Sequence, residues 1–463
     1  MALRILALAT LAAMAMPALA DPVVTPPAAL MLDQVPPVPP SLADATRPYL
    51  EYRAAAFEGW NAATKGALIT TRFGNVPQLH EVAMPGGDRR QLSFEADRIA
   101  AGSWAPKKGD VLVVQKDVGG SEFWQLYTLS NGRLSLLTDG KSRNELNAWS
   151  HNGQWLAYTS TRRNGADDDI YVIDPRDPKS DRLVAQVQGG GWSVQDFTAD
   201  GTSAVVANTL PVAKTDLYFM DIETGQMRPI GDHKKAIAYG GAKFSYDGIL
   251  WVTSDEGSDF LRLGRLNPNS GVFTPIAAVT KGDVEEFDVS VDGKLIAFVV
   301  NEEGVSRLKL LDTRTGEVRS VDGLPSGVIA SLQFAPWGTL GFSLTGAGTP
   351  SDVYALDPAT LAVTRWTSSE TGGLDASKNI EPTLLKVKSF DGQEVSGFLY
   401  RPDPKKFPGK RPLIINIHGG PEGESRPVFL GRTNYLINEL GIAVFYPQRP
   451  WLDRLRQALC RPR

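Results

Sequence analysis

The sequence predicts an all-β propeller of about seven blades, followed by an incomplete α/β domain. A turn that ends in glycine and precedes an apolar strand recurs at separations of 43, 44, 48, 47, 45 and 45 residues. The turn glycines are Gly66, Gly109, Gly153, Gly201, Gly248, Gly293 and Gly338. A period of about 40 to 50 residues is typical of propellers with one four-stranded blade per repeat. After the last repeat, a strand, a helical pattern and another strand indicate a second domain.

The clearest repeat surrounds Asn152 and Gly153, a dipeptide that favours tight hairpin turns. An apolar strand from Leu156 to Thr159 follows, and Asp169 to Asp174 forms the next strand. One blade cannot bury both faces of its sheet, so neighbouring blades must stack around an axis. The outermost repeats are atypical, and six or eight blades therefore remain alternatives to seven.

Residues 1–20 resemble a secretory signal. Arg4 supplies a positive start, Ile5 to Met16 is a short apolar run, and Ala18-Leu19-Ala20 is a small-residue cleavage site. The alternative is an uncleaved membrane anchor, but the run is too short to span a bilayer. We therefore expect a secreted protein that does not associate with membranes, periplasmic if the source is a Gram-negative bacterium. Residues 21–48 are rich in proline and predict an extended spacer.

The composition excludes several classes of site. The net charge of −4, with no basic stripe before the extreme C-terminus, argues against a nucleic-acid partner. Cys460 is the only cysteine, so no intrachain disulfide can form. The four histidines are dispersed along the chain, and we expect neither a metal nor another cofactor.

The propeller is predicted to span residues 49–368 and the second domain residues 381–449. The second domain opens with a hairpin from Leu384 to Tyr400, turned at Asp391-Gly392. Buried strands are predicted at Leu413–Ile417 and Ile442–Tyr446, with a helical pattern at Tyr435–Leu440 between them.

The first of these strands leads directly into His418-Gly419-Gly420-Pro421. Together with the propeller repeats and the hairpin, this segment resembles the prolyl oligopeptidase family of serine peptidases, particularly its acylaminoacyl-peptidase-like and dipeptidyl-peptidase-like branches. The resemblance covers almost all of residues 49–446. It implies an α/β-hydrolase domain that is capped by the propeller and hydrolyses short peptides with a Ser-Asp-His triad.

The resemblance also implies a role for this loop. In hydrolases of this fold the loop after the third strand offers a backbone N–H to the oxyanion. Gly419 and Gly420 would let the backbone approach the tetrahedral intermediate, and Pro421 would stiffen the loop. His418 is expected to brace the loop through a hydrogen bond. The alternative is a simple turn residue, because the triad base of this fold comes last in the chain.

The chain departs from the family pattern at the nucleophile. No G-x-S-x-G sequence occurs in the 463 residues, so no catalytic residue is assigned and no peptidase turnover is expected from this chain. The resemblance stops after Arg449. Residues 450–463 are arginine-rich and are interpreted as a non-homologous, frameshifted tail, with an amphipathic terminal helix as the alternative.

Three further expectations concern the surface. In aminopeptidase relatives, propeller carboxylates hold the amino terminus of the substrate, and Glu285 or Glu286 would do so here; solvated loop charge is the alternative. The run Asp167–Asp169 is expected to be solvated. Unpaired edges at Leu413–Ile417 or Ile442–Tyr446 predict self-association.

A different class of function, a non-enzymatic binding propeller similar to the periplasmic propeller of the Tol system, also fits the repeats.

Overall fold

A computed structural model describes residues 23–210, 214–276, 281–390, 392, 394–419 and 423–448. It contains eight four-stranded sheets. Seven are antiparallel blades, each built from four strands that are consecutive in the sequence. The prediction of a seven-bladed propeller is therefore confirmed for the described part of the chain. The predicted signal and the arginine-rich tail lie outside the described residues.

The first strands of adjacent blades contact one another around the central channel, in six of the seven pairs through close backbone approach and between the second and third blades through the hydrogen bond from Trp149 Nε1 to Ser103 Oγ at 3.1 Å. These inner strands are β1 Ala56–Trp60, β5 Ile99–Trp104, β9 Asn144–Trp149, β13 Trp192–Phe197, β17 Tyr239–Phe244, β21 Val284–Val289 and β25 Val328–Phe334. The second strands are β2 Ala67–Thr71, β6 Leu112–Lys116, β10 Leu156–Ser160, β14 Ser203–Leu210, β18 Leu250–Ser254, β22 Leu295–Glu302 and β26 Leu340–Gly346.

The two outer strands of each blade complete the sheets. The third strands are β3 Gln78–Val82, β7 Gln125–Ser130, β11 Asp169–Asp174, β15 Lys214–Asp221, β19 Arg262–Leu266, β23 Val305–Asp312 and β27 Thr349–Leu356. The fourth strands are β4 Arg90–Gln91, β8 Arg133–Leu136, β12 Asp177–Ala185, β16 Met227–Ile230, β20 Phe273–Pro275, β24 Val318–Ser320 and β28 Val363–Arg365.

The predicted turn glycines lie where each inner strand turns into the second strand. In the third blade the hydroxyl of Ser150 donates to Asn152 Oδ1 at 2.7 Å, and Gly153 adopts a φ of +74°. That left-handed conformation costs glycine little because it has no Cβ. The first blade departs from this pattern, since Lys65 has a φ of +60° and takes the left-handed position before Gly66.

Every blade is completed by its own strands, and blade 1 meets blade 7 through side chains and through backbone hydrogen bonds such as that from the Ala55 amide to the Ser351 carbonyl at 3.0 Å. The Phe57 amide donates to Ser343 Oγ at 2.7 Å, and the Trp60 amide donates to Gln333 Oε1 at 3.0 Å. The Trp60 ring also packs edge-to-face on Trp366, with ring centroids 4.9 Å apart. This seam (the contact between blades 1 and 7) thus depends on aromatic packing and a few hydrogen bonds.

The acidic run at residues 167–169 is not simply solvated, which corrects the sequence-based expectation. Asp169 is fully buried, and its carboxylate receives Arg163 Nε at 2.6 Å and the Val187 amide at 2.9 Å. Asp167 accepts from the Gly189 amide at 2.7 Å. A buried charge requires a paired and hydrogen-bonded environment. The contacts of these carboxylates therefore hold the outer strands of the third blade together.

The proline-rich spacer is not extended throughout, which corrects a second expectation. Helix α1 spans Pro40–Thr46 and a short 3-10 turn spans Arg47–Tyr49. Proline suits the start of a helix because its fixed φ is already helical and it lacks an N–H that would be unpaired there. The Tyr49 hydroxyl donates to Glu439 Oε1 at 2.7 Å, so this segment contacts the C-terminal part of the chain.

The eighth sheet follows the propeller, after a 3-10 turn at Ala376–Lys378. Its elements are β29 Thr383–Lys388, β30 Glu394–Tyr400, β31 Leu413–Ile415, helix α2 Thr433–Asn438 and β32 Ala443–Pro447. The strand order is β29-β30-β32-β31, with β31 parallel to β32 and the other pairs antiparallel. The predicted hairpin is present, and the φ of Gly392 is +83°.

The predicted burial of the strand at Leu413–Ile417 is wrong for the described structure. Leu413, Ile414, Ile415 and Ile417 are 52%, 40%, 58% and 62% exposed. Among the described strands β31 pairs with β32 alone, at the edge of the sheet, and its side chains are left uncovered on both faces. The small core of this sheet is formed elsewhere, by the buried side chains Phe398, Tyr400, Ile437 and Val444.

Candidate functional site

The loop after β31 contains the residues predicted to bind an oxyanion. His418 is half-buried, and its Nδ1 lies 3.3 Å from the carbonyl oxygen of Gly419. A protonated Nδ1 can donate to that oxygen, and the bracing role of His418 stays a prediction. His418 Nε2 is buried and has no hydrogen-bond partner among the described residues. Gly420 and Pro421 lie outside the described residues, so their role remains a prediction.

Gly423 was missed by the sequence analysis. A Cβ at this position would lie 2.6 Å from the Gly419 oxygen and 3.0 Å from His418 Nδ1. No other residue type would fit there without displacing the backbone. Gly423 therefore allows the chain to return against His418, and a glycine two positions after the His-Gly-Gly-Pro segment was the available sequence signal.

The loop lies at the carboxyl end of a parallel strand pair. Because β31 and β32 run in the same direction, the chain leaves both strands at one edge of the sheet. Gln448, which follows β32, accepts from the Ser425 amide at 3.1 Å and so connects the two exits. Crevices outside the carboxyl ends of such strands are the usual ligand sites of open α/β sheets.

Arg426 connects the segment after this loop to the propeller. Its Nη1 lies 2.8 Å and 2.7 Å from the two carboxylate oxygens of Glu285 on β21. Its Nε donates to the Gly304 carbonyl at 2.9 Å and its Nη2 to Ser306 Oγ at 3.1 Å. Any substrate amino terminus at Glu285 would compete with this ion pair. The proposed role of Glu285 therefore remains a prediction.

Glu286 is engaged differently from its neighbour. Its carboxylate accepts from the Leu332 amide at 2.7 Å, which connects blade 6 to blade 7. Burial raises the pKa of the Glu286 carboxyl above its ordinary value, against the opposing effects of that hydrogen bond and the charge of Lys243. Glu285 and Glu286 therefore bind different partners. Among the described residues, no hydrogen bond connects either carboxylate to His418.

The inner strands carry polar side chains that bridge adjacent blades. Asp196 on β13 accepts from the Phe244 amide of the next blade at 2.7 Å. Asp288 on β21 accepts from the Phe334 amide at 2.6 Å. Asn147 on β9 accepts from an amide of the fourth blade at 3.0 Å. These residues recur near the end of the inner strands, and their polar side chains line the central channel.

A cavity of about 380 Å³ lies at the mouth of the channel where the inner strands end. We call it the channel-mouth cavity. It lies at the opposite end of β21 from Glu285, and therefore at the opposite mouth from the eighth sheet. Its aromatic lining residues come from inner strands or the turns after them: Trp60, Trp104, Trp149, Phe244, Tyr246 and Phe334.

This aromatic lining was also missed, although the sequence carries a signal for it. An aromatic residue occupies the end of six inner strands, four to six residues before the turn glycine. The series is Trp60, Trp104, Trp149, Phe197, Phe244 and Phe334, with Val289 in the sixth blade, and all but the fully buried Phe197 of these aromatic residues belong to the lining. A search for aromatic side chains in phase with the turn glycines would have found it.

Two further searches cover only the described part of the chain. No group of three or more histidine, cysteine, aspartate or glutamate side chains there could hold a metal ion. No helix within the same ranges is long and apolar enough to cross a bilayer.

No model of a known protein family and no curated protein matches the sequence. Solved structures do match. A prolyl endopeptidase is 15% identical, with a TM-score of 0.73 over 88% of this chain and 63% of its own. A puromycin hydrolase is 17% identical, with a TM-score of 0.69 over 87% of this chain and 67% of its own. Prolyl oligopeptidase B from Galerina marginata, bound to a 35mer hydrolysis and macrocyclization substrate, is 14% identical. Its TM-score is 0.72 over 88% of this chain and 63% of its own.

The chain thus spans about two thirds of the length of these structures. At this level of identity, the similarity shows a shared fold. It confirms the resemblance that the sequence predicted. The described chain has the β-propeller fold seen in structures of a prolyl endopeptidase and a puromycin hydrolase.

Proposed function

We propose that this chain provides the propeller and the first part of an α/β-hydrolase domain of a serine peptidase of the prolyl oligopeptidase family, with short peptides as substrates. The observation that carries this proposal is the extent of the structural match. The seven blades, residues 56–365, make up about two thirds of the 463 residues, whereas the match covers 88% of the chain. The similarity therefore extends beyond the propeller.

The topology of the eighth sheet supports the same proposal. A parallel pair joined through helix α2 follows an antiparallel hairpin, and the glycine-rich loop leaves the sheet at the carboxyl end of β31. Backbone amides at Gly419 and Gly420 would supply the donors for a developing oxyanion in such a domain. His418 would brace that loop through its imidazole.

The chemistry of bond cleavage needs groups that this chain does not provide. A serine peptidase of this fold requires a nucleophile on a strained turn between a strand and a helix, and the 463 residues contain no G-x-S-x-G. We propose that this chain by itself has no peptidase turnover. Its contribution is the oxyanion loop and the propeller that covers the site.

Two experiments test this proposal. Incubation of the 463-residue chain with chromogenic peptides and a fluorophosphonate probe is expected to give neither turnover nor labelling. A labelled serine within these residues would overturn the assignment. The DNA downstream of codon 449 is expected to encode a G-x-S-x-G elbow and a late histidine in one of its frames, and their absence from all frames would contradict the family assignment.

Export is a separate proposal and rests on the first twenty residues. The charged start, the apolar run and the small-residue site are typical of a cleaved signal. Fractionation of cells that express the chain with and without residues 1–20 tests it. The chain that is expressed with residues 1–20 is expected to be cleaved and to appear in the exported fraction with Asp21 as its N-terminus. Retention of the uncleaved chain in the cytoplasm would contradict the proposed export.

A further inference from the structure

We propose that the channel-mouth cavity binds a carboxylate that is attached to an aromatic or other apolar group, such as the C-terminal residue of a peptide. The cavity lies at the mouth opposite the eighth sheet and shares no residue with the loop at His418. The proposal therefore does not depend on peptidase activity.

Two acidic side chains in the lining already have two partners each. One carboxylate oxygen of Asp196 lies 2.9 Å from His151 Nε2, and the other accepts from the Phe244 amide. One oxygen of Asp288 lies 2.6 Å from Lys243 Nζ, and the other accepts from the Phe334 amide. Each anion therefore has one lysine or imidazole partner and one backbone donor, so part of its charge and acceptor capacity is used within the protein.

The donors in the lining, in contrast, have capacity left. An ammonium group carries three N–H bonds, and Lys243 uses one of them on Asp288 while its side chain is 38% exposed. Within the described part of the chain Lys107 forms no ion pair, and its Nζ lies 5.9 Å from the ring centroid of Tyr246. The unused hydrogen-bonding capacity of the two lysines favours an acceptor-rich, anionic group.

The walls of the cavity favour an apolar substituent beside that anion. Trp104 and Trp149 line it as partly buried residues and Tyr246 as an exposed one, whereas the lining residues Trp60, Phe244 and Phe334 are at most 6% exposed. Aromatic walls around a few polar groups are typical of small-molecule sites, and 380 Å³ lies at the lower end of their range of about 300–1,000 Å³. The volume suits one amino-acid residue better than a long peptide.

A matched pair of probes tests the charge requirement. N-acetyl-L-phenylalanine and N-acetyl-L-phenylalaninamide differ in whether they carry a carboxylate, and both can be titrated into the whole chain by calorimetry. We expect the acid to bind about tenfold more tightly, as charge-assisted hydrogen bonds imply. Equal affinity for the two probes, or no binding of the acid, would overturn the proposal.

Matched variants test the location. Lys107→Gln is expected to weaken binding of the acid about threefold, whereas Lys108→Gln, at a neighbouring lysine outside the lining, is expected to leave it unchanged. Lys243→Met is expected to weaken binding about tenfold, and because it leaves Asp288 unpaired its fold is checked by circular dichroism. Unchanged affinity in Lys107→Gln, or equal losses in Lys107→Gln and Lys108→Gln, would place the ligand elsewhere.

Discussion

Arg426 and Glu285 form an ion pair between the segment after the glycine-rich loop and the sixth blade of the propeller, in which one guanidinium nitrogen contacts both carboxylate oxygens. The two carboxylate oxygens lie 2.8 Å and 2.7 Å from Nη1 of the arginine. The Arg426 side chain is 15% exposed and the Glu285 side chain 30% exposed, so both are largely removed from water. Such a pair positions the eighth sheet against the propeller more effectively than an exposed ion pair would.

We expect Arg426→Met to loosen this contact by about 2 kcal/mol, because a partly buried carboxylate loses its charged partner. Amide hydrogen exchange of β30 and β32 should become faster by roughly 30-fold, the factor that corresponds to this free energy. Arg432→Met, at an exposed arginine at the start of α2, serves as the control and should leave exchange unchanged. Unaltered exchange in Arg426→Met would show that the ion pair does not hold the sheet in place.

The seam between the first and last blades should be sensitive to loss of Phe57. Its side chain is 2% exposed and packs edge-to-face on Trp60, with ring centroids 5.1 Å apart. Phe57→Ala is expected to lower the free energy of unfolding by about 3–5 kcal/mol, since it removes a buried ring and leaves a cavity. Phe123→Ala, at a ring 57% exposed, should change it by about 0.5 kcal/mol or less. Denaturant unfolding measures both, and equal losses would contradict the importance of the seam.

The pair of His151 and Asp196 predicts a pH dependence of stability. Burial lowers the pKa of His151, but the hydrogen bond to Asp196 and the charges of Asp196 and Asp288 outweigh burial and the charge of Lys243. The pKa in the folded protein therefore lies above the ordinary value of 6.5. A raised folded-state pKa gives stability that is complete below the unfolded value and is lost as pH rises through the folded value.

His151→Gln should accordingly destabilise the protein more at pH 5.5 than at pH 8.5. The measurement is the free energy of unfolding in denaturant at both pH values. In an Asp196→Asn background the difference between the two pH values should largely disappear, because the main source of the raised pKa is gone. A larger effect of His151→Gln at pH 8.5 would contradict this assignment of the pair.

The exposed strand β31 predicts self-association, as expected from an apolar edge. Ile415 and Ile417 are 58% and 62% exposed. A double substitution of both by lysine should raise the concentration at which the chain associates by about tenfold, since a charged edge resists pairing. Sedimentation velocity at several protein concentrations measures this. Val387→Lys on β29, at the other edge of the sheet, is the control, and an equal effect there would place association elsewhere.

The sequence alone determined the propeller, because its turns and strands depend on consecutive residues. An Asn-Gly or Asp-Gly turn requires a local left-handed backbone, and the apolar strands after it must be covered by a neighbouring blade. The hairpin around Gly392 was predictable for the same reason. The lining of the channel mouth could be predicted only in part, since the aromatic series is periodic but the packing of the blades decides which of its rings are buried in the core and which remain accessible from the cavity.

The tertiary structure decided which charged groups are partners and which strands are covered. Glu285 and Arg426 are separated by 141 positions, and no local pattern relates them. Asp169 looked like a solvated loop residue, yet the arrangement of Arg163 and the outer strand buries it. The strand at Leu413–Ile415 looked like a core strand, yet it lies at an edge. Ion pairing and burial depend on distances between remote segments, and only the folded chain sets those distances.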